Sequence, residues 1–498
     1  MNTKLLRQKI LDLAIRGKLT DQRKSDGSTA DLLKQIVTER VSQNSLNRKK
    51  SIVPKSIIPI NKGDGPFEIP NNWEWVKLGD LSESIQYGYN APAKECGRIK
   101  MVRISDIHDN EVKWESVPFC DIEESEIQTY QLKKDDILFA RTGGTVGKSY
   151  IVNDIPEAAV YAGYLIRTRY SKNINAQFMK FFMESNLYWE QLRDGCIATA
   201  QPNCNGKTLG NMFIPLPPLE EQQRIVAKIE EVFAEIDAIE KNKELLKTHI
   251  KQTRQKILDL AIHGKLVPQD ENDEPASILL EKILQEKAQS DNKKSPKKKK
   301  TDDITTSDNR PYKKNDSLTV ENTPFEIPDS WEWTQIGDIC DYGECENIEV
   351  KDISDDAWVL ELEDIEKDSG RIINFITKKE RQINGVRHSF KEGDVLYSKL
   401  RTYLNKVLVA PQDGFCTTEI MPIKADHLLN HYLNIVLRSQ YFLEYTSLCG
   451  YGVKMPRLST ADAKKAIIPL PPLAEQKRIA SKIESLFSVL DAMEKECD

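Results

Sequence analysis

Three constellations in the sequence carry residue types suited to chemistry. The first is TGGTVGKS (Thr142 to Ser149), whose glycines, lysine and hydroxyls are the materials of a phosphate-binding loop. A Walker loop needs a glycine where Thr142 stands and a helix behind its Gly-Lys-Ser, but the following SYIVND reads as strand. The stretch is better explained as a glycine-rich hairpin presenting Arg141, Thr145 and Lys148. The second is Pro328-Asp329 with Glu349, Val350 and Lys351, a loose nuclease pattern of carboxylates plus a lysine. The third is His427 and His431, spaced like zinc ligands on a helix. The general-base glutamate of H-E-x-x-H is missing and no third ligand stands nearby, so an exposed helix face is expected. There is no G-x-S-x-G, no dinucleotide fingerprint and no Asn/Asp-Pro-Pro-aromatic methylase loop. The expectation is a chain with no catalytic, cofactor-binding or metal-binding residues of its own.

The elements that would position these residues occur twice. GPFEIPNNWEWVKLGDL (Gly65 to Leu81) returns as TPFEIPDSWEWTQIGDI (Thr323 to Ile339), an offset of 258. VRISDIHD from Val102 answers VLELEDIEK from Val359, and KKDDILFAR from Lys133 answers KEGDVLYSK from Lys391. The twin decides the nuclease question: Asp329, Glu349 and Lys351 correspond to Asn71, Ala91 and Ala93, which excludes a shared nuclease site. Within each copy, β-like runs (Ile137 to Ala140, Tyr150 to Val152, Val395 to Tyr397, Lys406 to Val409) mix with helical ones (Ala176 to Arg193, His427 to Thr446). That mixture reads as α+β.

Between the copies, Leu219 to His263 places Ile225, Ile229, Val232, Ile236, Ile239, Leu246, Ile250, Ile257 and Leu260 at alternating steps of four and three, with only Lys243 and Thr253 breaking the seam. The 3.5-residue period predicts a coiled-coil helix of roughly 65 Å. Its front half, IPLPPLEEQQRIVAKIEEVFAEIDAIEK (Ile214 to Lys241), returns as IPLPPLAEQKRIASKIESLFSVLDAMEK at Ile468 to Lys495. Its back half, RQKILDLAIHGKL (Arg254 to Leu266), returns as RQKILDLAIRGKL at Arg7 to Leu19. The central helix is thus present once whole and once cut. Antiparallel pairing of like seams gives a circularly permuted, pseudo-two-fold molecule. The prolines predict a rigid approach to each helix, with glutamate in its first turn favoured by the helix dipole. Gly17 is a plausible stop for the N-terminal copy, and another helix is expected over Thr29 to Val41.

Composition narrows the class. Hydrophobic residues make up 39% and charged ones 30%, and no apolar run reaches membrane-spanning length. The N-terminus carries charges throughout its apolar stretch and is no signal peptide. Nine cysteines without a C-x-x-C pair suggest reduced thiols and a cytoplasmic protein. A net charge of −6 means that nucleic-acid binding needs local basic patches or a basic partner. The linker containing Lys297 to Lys300 is poor in apolar residues and is expected to be a solvated tether.

The duplicated W-E-W-x-x-x-G-D units, the DILFARTGG and DVLYSKLR segments and the P-L-P-P-L-x-E-Q helices resemble the specificity subunit of type I restriction-modification systems. The resemblance spans nearly the whole chain. It implies two target recognition domains, at 65–215 and 323–468, joined by conserved helical regions at 1–64, 216–266 and 469–498, with a linker at 267–322. Each domain would read half of a bipartite site in double-stranded DNA, while the helices set the gap and dock two methyltransferase subunits. S-adenosylmethionine, and ATP and magnesium with two restriction subunits where the system restricts, would belong to the partners. Both domains are net acidic, so DNA binding is expected in the partnered complex. Candidate DNA contacts are Arg141, Lys148, Arg167, Arg169, Gln201 and Asn203 in the first domain. In the second they are Lys399, Arg401, Tyr403, Lys406, Lys454 and Arg457. Candidate partner contacts are Pro217, Pro218, Leu219, Gln222 and Arg224, with Pro471, Pro472, Leu473, Gln476 and Arg478. The competing reading is a scaffold that joins two partners without reading DNA.

Overall fold

The computed structural model describes residues 2–46, 56–108, 110–195, 203–293, 323–424, 430–452 and 455–497. Two compact units divide the chain, Met1–Asn242 and Lys243–Asp498. Both follow one plan.

In the first unit the N-terminal helix (Thr3–Ile15) begins where the Asn2 side chain accepts the Leu5 N–H at 3.0 Å. It ends at Gly17 with φ +66°, and Lys18 N–H closes on Leu13 C=O at 2.9 Å. A side chain there would also collide with Pro70, 2.4 Å from an added Cβ. The helix lies antiparallel to the front of the central helix (Leu219–Ile262): Arg7 meets Asp237 and Glu240, and Gln22 meets Glu221. In the second unit the roles are exchanged. The back of the central helix pairs antiparallel with the C-terminal helix (Leu473–Cys497), with Arg254 on Asp491 and Glu494 and Gln269 on Glu475. Gly264 repeats the stop of Gly17, with φ +66° and Pro328 in the place of Pro70. The heptad reading and its circular permutation are therefore present within each unit. Ile225, Ile229, Ile236, Ile250 and Ile257 are buried, while Ile239 is left exposed.

The proline-rich segments are strands before they are helix approaches. Phe213–Leu216 pairs antiparallel with Glu74–Lys77, placing Pro215 opposite Trp75; Ile467–Leu470 pairs with Glu332–Gln335, placing Pro469 opposite Trp333. Each ribbon has only two strands, so a proline without an N–H can sit on its open side. The two landmark motifs of each copy are thus hydrogen-bonded neighbours.

Beyond the ribbon, the first unit holds a four-stranded antiparallel sheet in the order Ser82–Tyr87, Leu165–Tyr170, Ile137–Ala140, Ser149–Ile151. The second unit matches its centre with Val407–Val409, Val395–Ser398 and Ile420–Ile423. The predicted helical runs are each broken in two. Ala176–Phe182 and Asn186–Gly195 flank Ser185, and Asn430–Arg438 and Gln440–Cys449 flank Ser439. Both serines are fully buried, and each hydroxyl accepts an N–H of the following helix at 3.3 Å, from Tyr188 and Phe442. A serine that caps locally competes with helix continuation, which apolar periodicity alone does not register. The helix expected over Thr29 to Val41 runs on to Leu46. Lys297 to Lys300 and His427 lie outside the described residues, and His431 is exposed. Among the described residues no helix is long and apolar enough to cross a membrane.

Candidate nucleic-acid interface

The glycine-rich stretch is a hairpin: it links Ile137–Ala140 to Ser149–Ile151, with Ala140 N–H donating to Lys148 C=O at 2.9 Å. Its counterpart links Val395–Ser398 to Val407–Val409, with Ser398 N–H donating to Lys406 C=O at 3.1 Å. The turns share an unusual backbone. Gly143 and Gly147 have φ of +77° and +91°; their equivalents at offset 258, Arg401 and Asn405, have +52° and +49°. A left-handed conformation costs an arginine about 1–2 kcal/mol and a glycine almost nothing. The second unit thus holds a side chain, Arg401, at a strained turn position where the first has glycine.

Each hairpin is anchored to the segment leading into its ribbon. Thr142 bridges to Asn203, and Cys204 N–H donates to Arg141 C=O at 2.9 Å. In the second unit Leu400 bridges to Arg457, Arg401 N–H reaches Pro456 C=O at 2.7 Å, and Leu458 N–H reaches Lys399 C=O at 3.0 Å. The sequence separations exceed 50 residues, so spacing could not bring Arg141 to Asn203 or Arg401 to Arg457; tertiary pairing does.

Of the first unit's candidates, Arg141, Lys148 and Asn203 belong to this surface. The Arg141 guanidinium lies 4.7 Å from the centre of the Tyr87 ring, Lys148 is exposed and Asn203 is exposed. Arg167 does not belong to it: 2% exposed, it donates to Gln131 C=O and Gln86, and it serves the interior of the domain. It sits mid-strand on the covered face, which charge alone does not reveal. Arg169 grips the buried Asp136 through two bonds of 2.6 Å, leaving the guanidinium committed. Gln201 lies outside the described residues.

In the second unit Lys399, Arg401, Tyr403 and Arg457 come together. Tyr403 is 57% exposed, and Arg457 is fixed by two bonds to Glu419, which hold its charge firmly. Lys406 turns inward: its ammonium donates to Leu362 C=O at 2.6 Å, and burial lowers its pKa. It fastens the turn and offers no exposed charge there. Lys454 lies outside the described residues. Sequence reading missed Tyr87, Tyr164 and Tyr451, all exposed at 40% or more beside these loops. Arg141 N–H donates to Tyr164 C=O, and Tyr451 is bridged to Arg457. In sequence Tyr87 and Tyr164 stand far from Arg141, whereas Tyr451 lies in the same short segment as Arg457.

Most candidate partner contacts are interior. Pro217, Pro218, Gln222, Pro471, Pro472 and Gln476 are buried in their own units. The Gln222 amide donates to Pro217 C=O and accepts Asn175 N–H, both at 2.9 Å; Gln476 donates to Pro471 C=O at 2.9 Å. Arg224 is paired twice with Asp26, and Arg478 twice with Asp273. Only Leu219, half-buried, and Leu473, 41% exposed, still offer apolar surface to a neighbour. The P-L-P-P-L-x-E-Q motif is therefore an internal joint between strand, helix and W-E-W ribbon.

A family model described as the type I restriction modification DNA specificity domain matches residues 70–248 and 328–497. The EcoAI and EcoEI type I restriction enzyme specificity subunits of Escherichia coli are 26% and 25% identical, each across 98% of this chain and 90% of the relative. The HsdS subunit of Thermoanaerobacter tengcongensis shares the fold at TM-score 0.51 and 18% identity, over 87% of this chain and 93% of that one. A chain from a structure concerned with complex assembly and conformational transition of the type I R-M system aligns with TM-score 0.52, 18% identity, and 87% and 94% coverage. With both copies matched, the chain belongs to the type I restriction-modification DNA specificity family.

Proposed function

We propose that this chain is the non-catalytic, sequence-reading subunit of a type I restriction-modification complex, each unit reading one half of a bipartite target in double-stranded DNA. The observation that carries this is the pair of hairpins. Their left-handed positions and anchoring bridges coincide, while their tips differ: Thr142, Gly143 and Thr145 stand against Leu400, Arg401 and Tyr403. One frame with two sets of side chains suits the reading of two different short sequences. Arginine offers paired donors to guanine, and asparagine pairs with adenine edges. The central helix fixes the gap between half-sites, and two methyltransferase subunits dock on the exposed helix faces, with two restriction subunits where the system restricts. S-adenosylmethionine, and ATP and magnesium for restriction, are held by those partners, in the cytoplasm.

The test is exchange of residues 65–215 for the matching stretch of a relative with a different target, followed by selection of bound fragments from random duplex DNA by the assembled complex. Replacement of one half-site with the other retained supports the reading. An unchanged target, or none, leaves the chain a scaffold.

A further inference from the structure

The second unit contains a cavity of about 330 Å³ between the back of the central helix and the loop Glu366–Arg371. Six of its lining side chains are cationic and three are carboxylates. Several pair off: Lys251 with Asp368 at 2.8 Å, Arg254 with Glu494 at 3.1 Å, and Arg371 with Glu366 at 3.0 Å and Glu494 at 3.3 Å. Arg438 is different. Its Nε is buried without a hydrogen-bond partner, its Nη2 donates to the backbone C=O of Asp368 at 2.9 Å, and the guanidinium lies 5.9 Å from the centre of the Phe487 ring. No carboxylate among the described residues forms an ion pair with it. Burial, aided by repulsion from Arg254 and only partly offset by the Asp368 and Asp491 carboxylates, pushes its pKa down to about 10. A buried guanidinium with an idle Nε and no directly paired carboxylate is costly, and an added anion relieves that cost.

The first unit differs at the same place. The residue equivalent to Arg438, immediately before the buried serine, is Glu184. It is satisfied from within by Lys180, and by Asn110 at 3.2 Å. Asn110 and Asp368 correspond at offset 258 and share a left-handed backbone, with φ of +63° and +65°. The frame is common to both units, and the second carries, in place of an internal ion pair, a cation that no carboxylate pairs directly, beside a cavity.

We propose that the cavity at Arg438, with Arg254, Arg371 and Lys251 at its walls, is a binding site for a phosphate-type oxyanion. Neither the DNA-reading role nor the partner contacts require such a site. A guanidinium fork matches phosphate oxygens, and the surplus of positive charge favours a dianion. The group could arrive as a free phosphate compound or as a phosphate of the DNA backbone, chemically alike at this cavity.

The test uses the full chain and inorganic phosphate as probe, following the thermal unfolding midpoint against phosphate concentration, with chloride at matched ionic strength as control. The expected result is a saturable rise for the parent chain. Arg438→Gln and, on the more exposed wall, Arg371→Ala each weaken the half-saturating concentration about tenfold or more. Without phosphate, Arg438→Gln unfolds no earlier than the parent, because it removes an unmatched buried charge. Loss of the phosphate response on adding duplex DNA of unrelated sequence would assign the site to the DNA backbone; persistence would assign it to a free phosphate compound. A midpoint insensitive to phosphate, or a response equal in parent and both variants, overturns the proposal.

Discussion

The indole N–H of Trp73 donates to the Glu221 carboxylate at 2.8 Å, across 148 residues of chain, and Trp331 repeats the bond to Glu475 at the same 2.8 Å. Both carboxylates are fully buried. Gln22 and Gln269, just past the helix stops, add a second donor to each. Three motifs recognisable in the sequence, W-E-W, P-L-P-P-L-x-E-Q and the helix stop, therefore converge on one acid in each unit.

Trp73→Phe should destabilise the first unit by about 1–3 kcal/mol or more, since it leaves a buried carboxylate short of a donor and vacates the space of the indole's second ring. Glu221→Gln keeps an acceptor and removes a buried charge, so its cost should be clearly smaller. Denaturant unfolding of the two variants provides the comparison. Equal losses would show that packing and not the hydrogen bond sets the effect.

The same acid gives a pH signature. Burial raises the Glu221 pKa above its ordinary 4.5, with the indole and Gln22 pulling it back. An acid with a higher pKa folded than unfolded costs stability when ionised, and that cost is relieved as pH falls from the raised value towards 4.5. Asp26 works in the opposite sense. The hydrogen bonds from Arg224 lower its pKa below 3.8, so its contribution is complete above 3.8 and lost as pH falls through the lowered value. Arg224→Met should cost about 2 kcal/mol at neutral pH, less than a fully buried pair because Arg224 keeps 22% side-chain exposure. It should also remove the acid-limb loss below 3.8. Unfolding free energy measured from pH 7 down to 3 would show whether that limb disappears.

The helices, their seam and the duplication were legible because apolar period and repeated words are local signals. What they pack against was not. Pro215 looks in sequence like a stiff approach to a helix, yet it is a strand residue opposite Trp75, since the pairing depends on a segment about 140 residues away. Arg167 and Arg141 look alike in sequence, but one is locked under Gln86 and Gln131 while the other lies over Tyr87 at the surface. Gln222 belongs to the repeated proline-rich motif that suggests a partner surface, but its amide is spent on Pro217 and Asn175. That Arg401 is strained where Gly143 is at ease lies in the backbone dihedrals, which repeated words in the sequence do not give.

That contrast is testable at one residue. Arg401→Gly installs the residue the first unit carries at the same left-handed position and relieves about 1 kcal/mol of strain. Stability should hold or rise, while discrimination at one half-site falls by about 1–3 kcal/mol, roughly ten- to a hundredfold in affinity ratio. The other half-site should be unaffected. Unfolding and DNA selection on the assembled complex separate the two effects. A loss of stability with unchanged selection would make Arg401 structural.

The last expectation concerns the helix that supplies both units. Arg7 with Asp237 and Arg254 with Asp491 hold the two helix pairs on either side of Asn242–Lys243. Four helix-forming residues inserted there leave both pairings intact and lengthen the helix by about 6 Å, with a rotation of some 40°. If the central helix is the spacer between the two reading units, the selected DNA should retain both half-site sequences with a gap about two base pairs longer. Selection from random duplex DNA reads sequence and gap together. Retained half-sites at the original gap would show that the spacing is set elsewhere, by the docked partners or by the DNA itself. Lost half-sites with intact folding would show that their phase on the duplex, altered by the rotation, matters more than their distance.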